Sequence, residues 1–204
     1  MKKRTAIEKR KTTETDITVK LNIDGSGKAK IKTPIGLLNH MLELFAFHGL
    51  FDLEINATGD FKKVDIHHTN EDVGIVLGKA FKKALGDMKG IKRFGSASAP
   101  MEDAVANVAV DISGRGYFKE AAIPGNPLSA AGQEKEYDGS YANHFFESFA
   151  KNMGINLSIK LSSSNLDLHT NLEPIFKALG IALDQATQID PRRKGVPSTK
   201  GVID

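Results

Sequence analysis

The sequence predicts an α+β fold made of two ββαβα halves. The halves are related by a pseudo-twofold, and helices cover the mixed sheet of each. Two observations carry this prediction. Period-2 and period-3.6 apolar patterns follow one another in the same order twice along the chain. The residues of three blocks also recur, in the same order, at nearly fixed spacing.

In the first half, Thr15 to Asp24 alternates as a strand, Gly25-Ser26-Gly27 turns the chain, and Lys28 to Thr33 alternates again, which predicts a hairpin. Ile35 to His48 carries Leu38, Leu42, Phe45 and Ala46 at helical spacing. Phe51 to Thr58 reads as a strand. Asp65 to Leu85 reads as a long helix with Val73, Val76, Leu77, Ala80, Phe81 and Ala84 on one face. In the second half, Val105 to Ser113 is a strand, Gly114-Arg115-Gly116 a turn and Tyr117 to Ile123 a strand. Ser140 to Met153 is then a helix, Ile155 to Leu161 a strand and Leu168 to Ile189 a helix.

The repeat is literal. His40-x-x-Glu43-x-Phe45-Ala46 matches His144-x-x-Glu147-x-Phe149-Ala150 at an offset of 104. Asp65-Ile-His67-x-x-x-Glu71 matches Asp167-Leu-His169-x-x-x-Glu173 at an offset of 102. Ile23-Asp-Gly-Ser-Gly27 matches Ile112-Ser-Gly-Arg-Gly116 at an offset of 89. The change of offset places an inserted loop, rich in Gly, Pro, Ser and Ala, at Pro124 to Gly139. The expected organisation is one compact duplicated unit. Residues 1–90 form the first half and 91–204 the second half with a C-terminal tail, joined near Asp87 to Pro100.

Composition narrows the function. With 28 basic against 25 acidic residues, a net charge of +3 does not point to nucleic acid. The absence of Cys excludes disulfides, thiolate metal sites and a Cys nucleophile. The most apolar stretch, Gly36 to Leu53, contains Asn39, His40, Glu43, His48 and Asp52, so no membrane span is expected. The basic Met1-Lys2-Lys3-Arg4 leads into no apolar run of the signal-peptide kind, which predicts a cytoplasmic location.

The histidines carry the strongest signal. Five of the six, His40, His67, His68, His144 and His169, lie in the repeated blocks. His67 with Glu71 and His169 with Glu173 stand at i and i+4, on one helix face. One such pair is an ordinary surface contact. Two at duplicated positions, each with a further His in the preceding helix, predict a site for a divalent ion such as Mn, Fe, Co, Ni or Zn. Arg93, Arg115 and the tail Gly195-Val-Pro-Ser-Thr-Lys-Gly201 supply cations and hydroxyls suited to phosphate. No glycine-rich nucleotide fingerprint is present.

These blocks together resemble a known family. The series runs from Leu38-Asn39-His40-Met41-Leu42 and His48-Gly49 through Asp65-Ile-His67-His68-Thr69-Asn-Glu71-Asp72, Arg93-Phe94-Gly95 and Pro100-Met101. It continues with Asp111-Ile-Ser-Gly-Arg115, His144-Phe-Phe, Phe176-Lys177-Ala178 and Pro197-Ser198-Thr199-Lys200-Gly201. From about Ile7 to Asp204, the chain resembles imidazoleglycerol-phosphate dehydratase. The resemblance implies a lyase of histidine biosynthesis that dehydrates D-erythro-imidazole-glycerol phosphate to imidazole-acetol phosphate. It implies two Mn(II) ions per chain and a homo-oligomeric 24-subunit shell with sites at subunit interfaces. The implied partner is a small-molecule imidazole phosphate, with neither nucleic acid nor membrane.

Carried over residue by residue, the metal ligands are His40, His67, His68, Glu71, His144, His169 and Glu173, with Thr170 where a His is expected. The pseudo-twofold favours His40, His68, His169 and Glu173 around one ion, and His67, Glu71, His144 and Thr170 around the other. Glu14, Glu71 and Glu173 are the catalytic carboxylates, Glu14 being the one outside the metal shell. Glu14, His48, Arg93, Arg115, Lys177, Ser198, Thr199 and Lys200 face the substrate or its phosphate.

The chain departs from the family pattern at Thr170, at Ser158 after Leu157, at Asp167, at Gly116 and in the order Glu102-Asp103. Thr170 predicts one weakened metal site. A second reading is a catalytically weak homologue that binds metal and an imidazole phosphate without efficient turnover. A third is an unrelated metallohydrolase on a duplicated scaffold.

Overall fold

The computed structural model describes residues 3–60, 64–129 and 136–203. The first half runs β1 (Thr5–Lys11), β2 (Thr15–Asn22), β3 (Ala29–Lys32), α1 (Gly36–His48), β4 (Asp52–Gly59) and α2 (His67–Leu85). The second runs β5 (Phe94–Met101), β6 (Ala104–Asp111) and β7 (Tyr117–Phe118), then the insertion strands β8 (Leu128–Ser129) and β9 (Glu136–Tyr137). It continues with α3 (Gly139–Met153), β10 (Asn156–Ser163) and α4 (Leu168–Thr187). The two main sheets have one topology, β1-β2-β4-β3 and β5-β6-β10-β7. In each, three strands are antiparallel and the last is parallel to its neighbour. The fold is the predicted α+β pair of similar halves.

Two details differ from the sequence reading. Each half carries one strand more, so the unit is βββαβα, and β5 occupies the second half of the expected joint at Asp87 to Pro100. The hairpin expected between residues 15–24 and 28–33 does not form, because β4 lies between β2 and β3. The reason is local. The Asp52 carboxylate accepts from the backbone N–H of Ser26 (2.8 Å) and Lys28 (3.2 Å), and the Leu53 N–H donates to the Lys28 carbonyl (2.8 Å). The glycine turn is therefore fastened to the start of β4, and β3 emerges on the far side. α1 then makes the crossover that a parallel pair requires. In the second half Tyr117 N–H donates to Ile155, and only Tyr117–Phe118 of the expected strand to Ile123 is extended beside β10. The insertion carries the β8–β9 pair, and its middle, residues 130–135, lies outside the described residues.

The inward residues of β2 and β6 (Ile17, Val19 and Leu21; Ala106, Val108 and Val110) meet the apolar faces of the helices. Phe45, Phe51, Phe81, Phe145, Phe146, Phe149 and Phe176, each at most 1 % exposed, fill the space between them. Burying each contributes about 1.5–3 kcal/mol.

Helix spacing is set by two glycines at equivalent positions. A Cβ on Gly180 of α4 would lie 2.5 Å from the Phe45 carbonyl oxygen of α1 and 3.0 Å from the nitrogen of Gly49, its C-cap. A Cβ on Gly78 of α2 would lie 2.6 Å from the Phe149 oxygen and 2.9 Å from the Met153 nitrogen of α3. The repeat offsets map one contact onto the other, so α1 packs on α4 as α3 packs on α2. Asp72, buried, accepts from Arg10 (2.8 Å) and Thr15 (2.5 Å) and ties α2 to the β1–β2 hairpin. Among the described residues no helix is long and apolar enough to cross a membrane.

Candidate metal centre

The close α1–α4 crossing brings the first turns of α4 against α1. His40 stacks on His169 with ring centroids 5.1 Å apart. Glu173 lies between them: its Oε2 is 3.0 Å from His169 Nε2 and 3.4 Å from His40 Nε2. Its other oxygen, Oε1, is taken by Lys177 Nζ at 2.6 Å. The Glu173 side chain is 13 % exposed, and burial raises the pKa of its carboxyl. Lys177, His169 and His40 outweigh that burial and hold it below the ordinary glutamate value. Among the described residues, His40, His169 and Glu173 form the one set of at least three such side chains whose donor atoms all lie within 4.8 Å of one another. Ligands about one small divalent ion at ~2 Å stand roughly 3–4 Å apart, so small rotamer changes would seat an ion. Two imidazole nitrogens and a carboxylate oxygen suit that chemistry. His48, one helical face along α1, feels the same groups: burial and Lys177 push its pKa down, and Glu173 opposes them.

The α2–α3 crossing builds the equivalent arrangement. His67 and His144 have ring centroids 4.9 Å apart, and His67 Nε2 is 3.6 Å from Glu71 Oε2. This set is more open, with Glu71 44 % exposed against 13 % for Glu173. The pair His40–His169 maps onto His144–His67, so the duplicated motifs meet across helices as the pseudo-twofold requires.

The fourth expected donor of each set lies elsewhere in the chain. His68 Nδ1 is 3.2 Å from Asp60 and its Nε2 is 3.9 Å from Glu14. Burial lowers its pKa, but Asp60, Glu14 and Asp65 together raise it further than burial lowers it. Thr170 is 5 % exposed, and both its N–H (3.0 Å) and its hydroxyl (2.8 Å) donate to Asp167, the N-cap of α4.

The phosphate candidates gather at the opposite end of α4. Arg93 N–H donates to the Ala186 carbonyl, and the Arg93 carbonyl accepts from Ile112, which leads into the exposed turn bearing Arg115. Arg93 Nε (2.6 Å) and Nη2 (3.1 Å) fork onto Asp111, and Nη1 donates to the Pro197 carbonyl (3.0 Å). Its φ of +77° is rare for a non-glycine residue, and these contacts hold it there. The fork is thus occupied by Asp111, and the remaining nitrogen fixes the tail. Ser198 Oγ accepts from the Lys200 N–H (3.2 Å), and Gly201 N–H donates to Ser198, which folds Ser198, Thr199 and Lys200 into a surface turn. Ala186 is thirteen residues beyond Glu173 on α4, about 20 Å at 1.5 Å per residue. Within one chain, the tail and the His40–His169–Glu173 set do not meet.

Sequence reasoning passed over Asp60, Asp111 as the partner of Arg93, and Asp167 as a cap. The first follows no motif. The capping position of Asp167, three residues before Thr170 and at a helix start, was available from spacing alone.

A family model described as imidazoleglycerol-phosphate dehydratase matches residues 33–183. A protein of that name from Geobacter metallireducens is 48 % identical over 204 residues, covering all of both chains. One from Caldanaerobacter subterraneus is 51 % identical over 200 residues, 98 % of this chain and all of the other. Among solved structures, the Pyrococcus furiosus protein in complex with (S)-C348 is 37 % identical, with a TM-score of 0.75 over 95 % of this chain and 99 % of that one. The Staphylococcus aureus protein is 32 % identical, with a TM-score of 0.72 over 91 % of this chain and 100 % of that one.

Proposed function

The chain belongs to the imidazoleglycerol-phosphate dehydratase family and is a hydro-lyase. On that premise we propose that it converts D-erythro-imidazole-glycerol phosphate to imidazole-acetol phosphate in histidine biosynthesis, with Mn(II) as its metal. The observation that carries the metal dependence is the His40–His169–Glu173 set, buried on the carboxylate side and convergent on one point. His67, Glu71 and His144 form the second set. When bound, Mn(II) supplies Lewis acidity and orients the imidazole and the diol.

This chain's own residues do the rest. Lys177 holds one oxygen of Glu173 and leaves the other directed at the two imidazoles. Glu71 and Glu173 act as donors beside their histidines. Glu14, exposed at the β1–β2 turn and 3.9 Å from His68 Nε2, is the carboxylate outside the two donor sets and the proton carrier. It takes the hydrogen from the substrate's middle carbon as a proton, and the hydroxyl on the ring-bearing carbon leaves with a proton as water. The resulting enol becomes the ketone once a proton returns to the ring-bearing carbon. Arg115, Ser198, Thr199 and Lys200 bind the phosphate, with His48 and Lys177 nearer the ring. Arg93 holds the tail through Pro197.

Two distances support a homo-oligomer with sites shared between chains, such as the 24-subunit shell. His68 stays with its own Asp60 rather than joining His40, and the tail lies about 20 Å along α4 from Glu173. Three carbons between the imidazole ring and the phosphate do not span that gap, so the ring and the phosphate would meet residues of different chains. His68 lent by a neighbouring chain would bring Glu14 with it. A soluble phosphorylated substrate fits a cytoplasmic enzyme.

The test is turnover of imidazole-glycerol phosphate by chelator-stripped protein, with and without added Mn(II). Activity restored by Mn(II), in a species sedimenting as a multimer, is expected. Undiminished turnover after stripping, or a fully active monomer, would overturn the respective part of this reading.

A further inference from the structure

Thr170 occupies the position that the pseudo-twofold pairs with His68, yet the two side chains are held differently. The first turn of α2 leaves the His68 side chain half-buried and paired with Asp60 outside the helix: the Ile66 N-cap makes no side-chain bond, and Asp65 accepts from the His67 N–H. The first turn of α4 is closed on itself. Asp167 accepts both the N–H and the hydroxyl of Thr170, whose side chain is turned inward and buried. Pro174 has no N–H to offer the Thr170 carbonyl, which makes the turn depend further on the Asp167 cap. The hydroxyl is spent inside the helix end.

Resting on the Mn(II) reading above, we propose that Thr170 is a capping residue and not a ligand. The His67–Glu71–His144 position therefore has three protein donors and one open place. The other position, with His68 of a neighbouring chain, has four. Two imidazoles and one carboxylate with an open place make the donor set of an exchangeable metal position, ready for a neutral nitrogen donor from solution. The chain would thus hold one ion tightly and a second one exchangeably. The expectation that Thr170 enters the second shell as a weak oxygen donor gives way to a shell it does not enter.

The experiment is Mn(II) titration of the metal-stripped assembly by calorimetry, with bound ions counted after desalting, on the native chain and on Thr170→Val, Thr170→Ser and Thr170→His. Expected are one retained ion per chain and a second bound at least tenfold more weakly. Thr170→Val should leave the second affinity within about twofold while lowering the melting temperature, and Thr170→Ser should keep both. Thr170→His should tighten the second ion by at least tenfold. Should that larger side chain not be accommodated, millimolar free imidazole added to the native chain should tighten the second ion in its place. A tenfold loss of the second ion in Thr170→Val, equal tight binding of two ions by the native chain, or no effect of imidazole would overturn the inference. Failure of either position to bind Mn(II) would instead overturn the metal reading on which it rests.

Discussion

Replacing Gly180 with Ala should separate α1 from α4 and, with them, the residues of the better-buried donor set. The new methyl carbon would stand 2.5 Å from the Phe45 carbonyl oxygen and 3.0 Å from the Gly49 nitrogen, both backbone atoms that cannot rotate away. Ordinary contact begins near 3.4 Å, so the helices must part by most of an ångström. Overpacking of this kind costs about 1–3 kcal/mol. For a chain of this size each kcal/mol moves the melting temperature by about 2–4 °C, which gives a loss of roughly 2–12 °C. His40 rides on α1 while His169 and Glu173 ride on α4. A misplacement near 1 Å should weaken Mn(II) binding at that set by up to about two decades. Gly78→Ala, the pseudo-twofold equivalent at 2.6 Å from the Phe149 oxygen, should melt lower by a similar amount but disturb the His67–His144 set instead. Gly36→Ala is the control, since among the described residues nothing beyond its own stretch of backbone lies within 4 Å of the added carbon, and alanine favours the helix. The assay is calorimetric melting at one protein concentration with chelator present, so that bound ions add nothing, followed by Mn(II) titration. A Gly180→Ala protein that melts within a degree of the native chain would refute the spacing argument.

Arg115→Ala and Lys200→Ala should each raise KM for the phosphorylated substrate by one to two decades, since a charge-assisted contact contributes ~1.5–3 kcal/mol; an unchanged KM removes that residue from the phosphate site. Asp111→Ala should also raise KM, by freeing Arg93 from its fork and loosening Pro197, and should add little to the KM of Arg93→Ala. Asp52 should matter for stability at acid pH: the Ser26 N–H, despite burial, and then Lys28, Asn22 and the Ser26 hydroxyl hold its carboxyl below the ordinary value. Its contribution is present above about pH 3.9 and lost as the pH falls through the lowered pKa, so Asp52→Asn should cost ~1 kcal/mol at pH 7 and less at pH 2 in paired melting curves.

The helices and inner strands were legible because burial imposes period on sequence. Phe45, Phe149 and Phe176 mark apolar stripes that place α1, α3 and α4 within two residues of where they lie. β1 and β5 were not legible, for a reason that holds for edge strands in general. In Thr5–Lys11 the one buried side chain is Ala6, and in Phe94–Met101 it is Ala99, so no alternation needs to be written into either. The false hairpin had a different origin. Glycines announce a turn but not its partner, and what chose β4 over β2 was a carboxylate thirty residues on from Asn22, at Asp52.

The candidate site divides in the same way. That the His-x-x-x-Glu pairs face one way follows from helix geometry, and that His40 meets His169 follows from duplication, since a pseudo-twofold exchanging the halves must exchange α1–α4 with α3–α2. Single letters carried less. Thr170, read alone, is a poor ligand in a histidine's place; read with Asp167 three residues earlier, it is half of a helix cap. Arg93, read alone, is a phosphate fork, but Asp111 occupies the fork and Pro197 receives what remains. In both cases the side chain's chemistry was visible and its prior commitment was not, because a hydrogen-bond partner is chosen by the fold. A substitution inside a duplicated motif therefore has to be judged by what the new side chain is bonded to, and at position 170 that bond points into the helix rather than toward an ion.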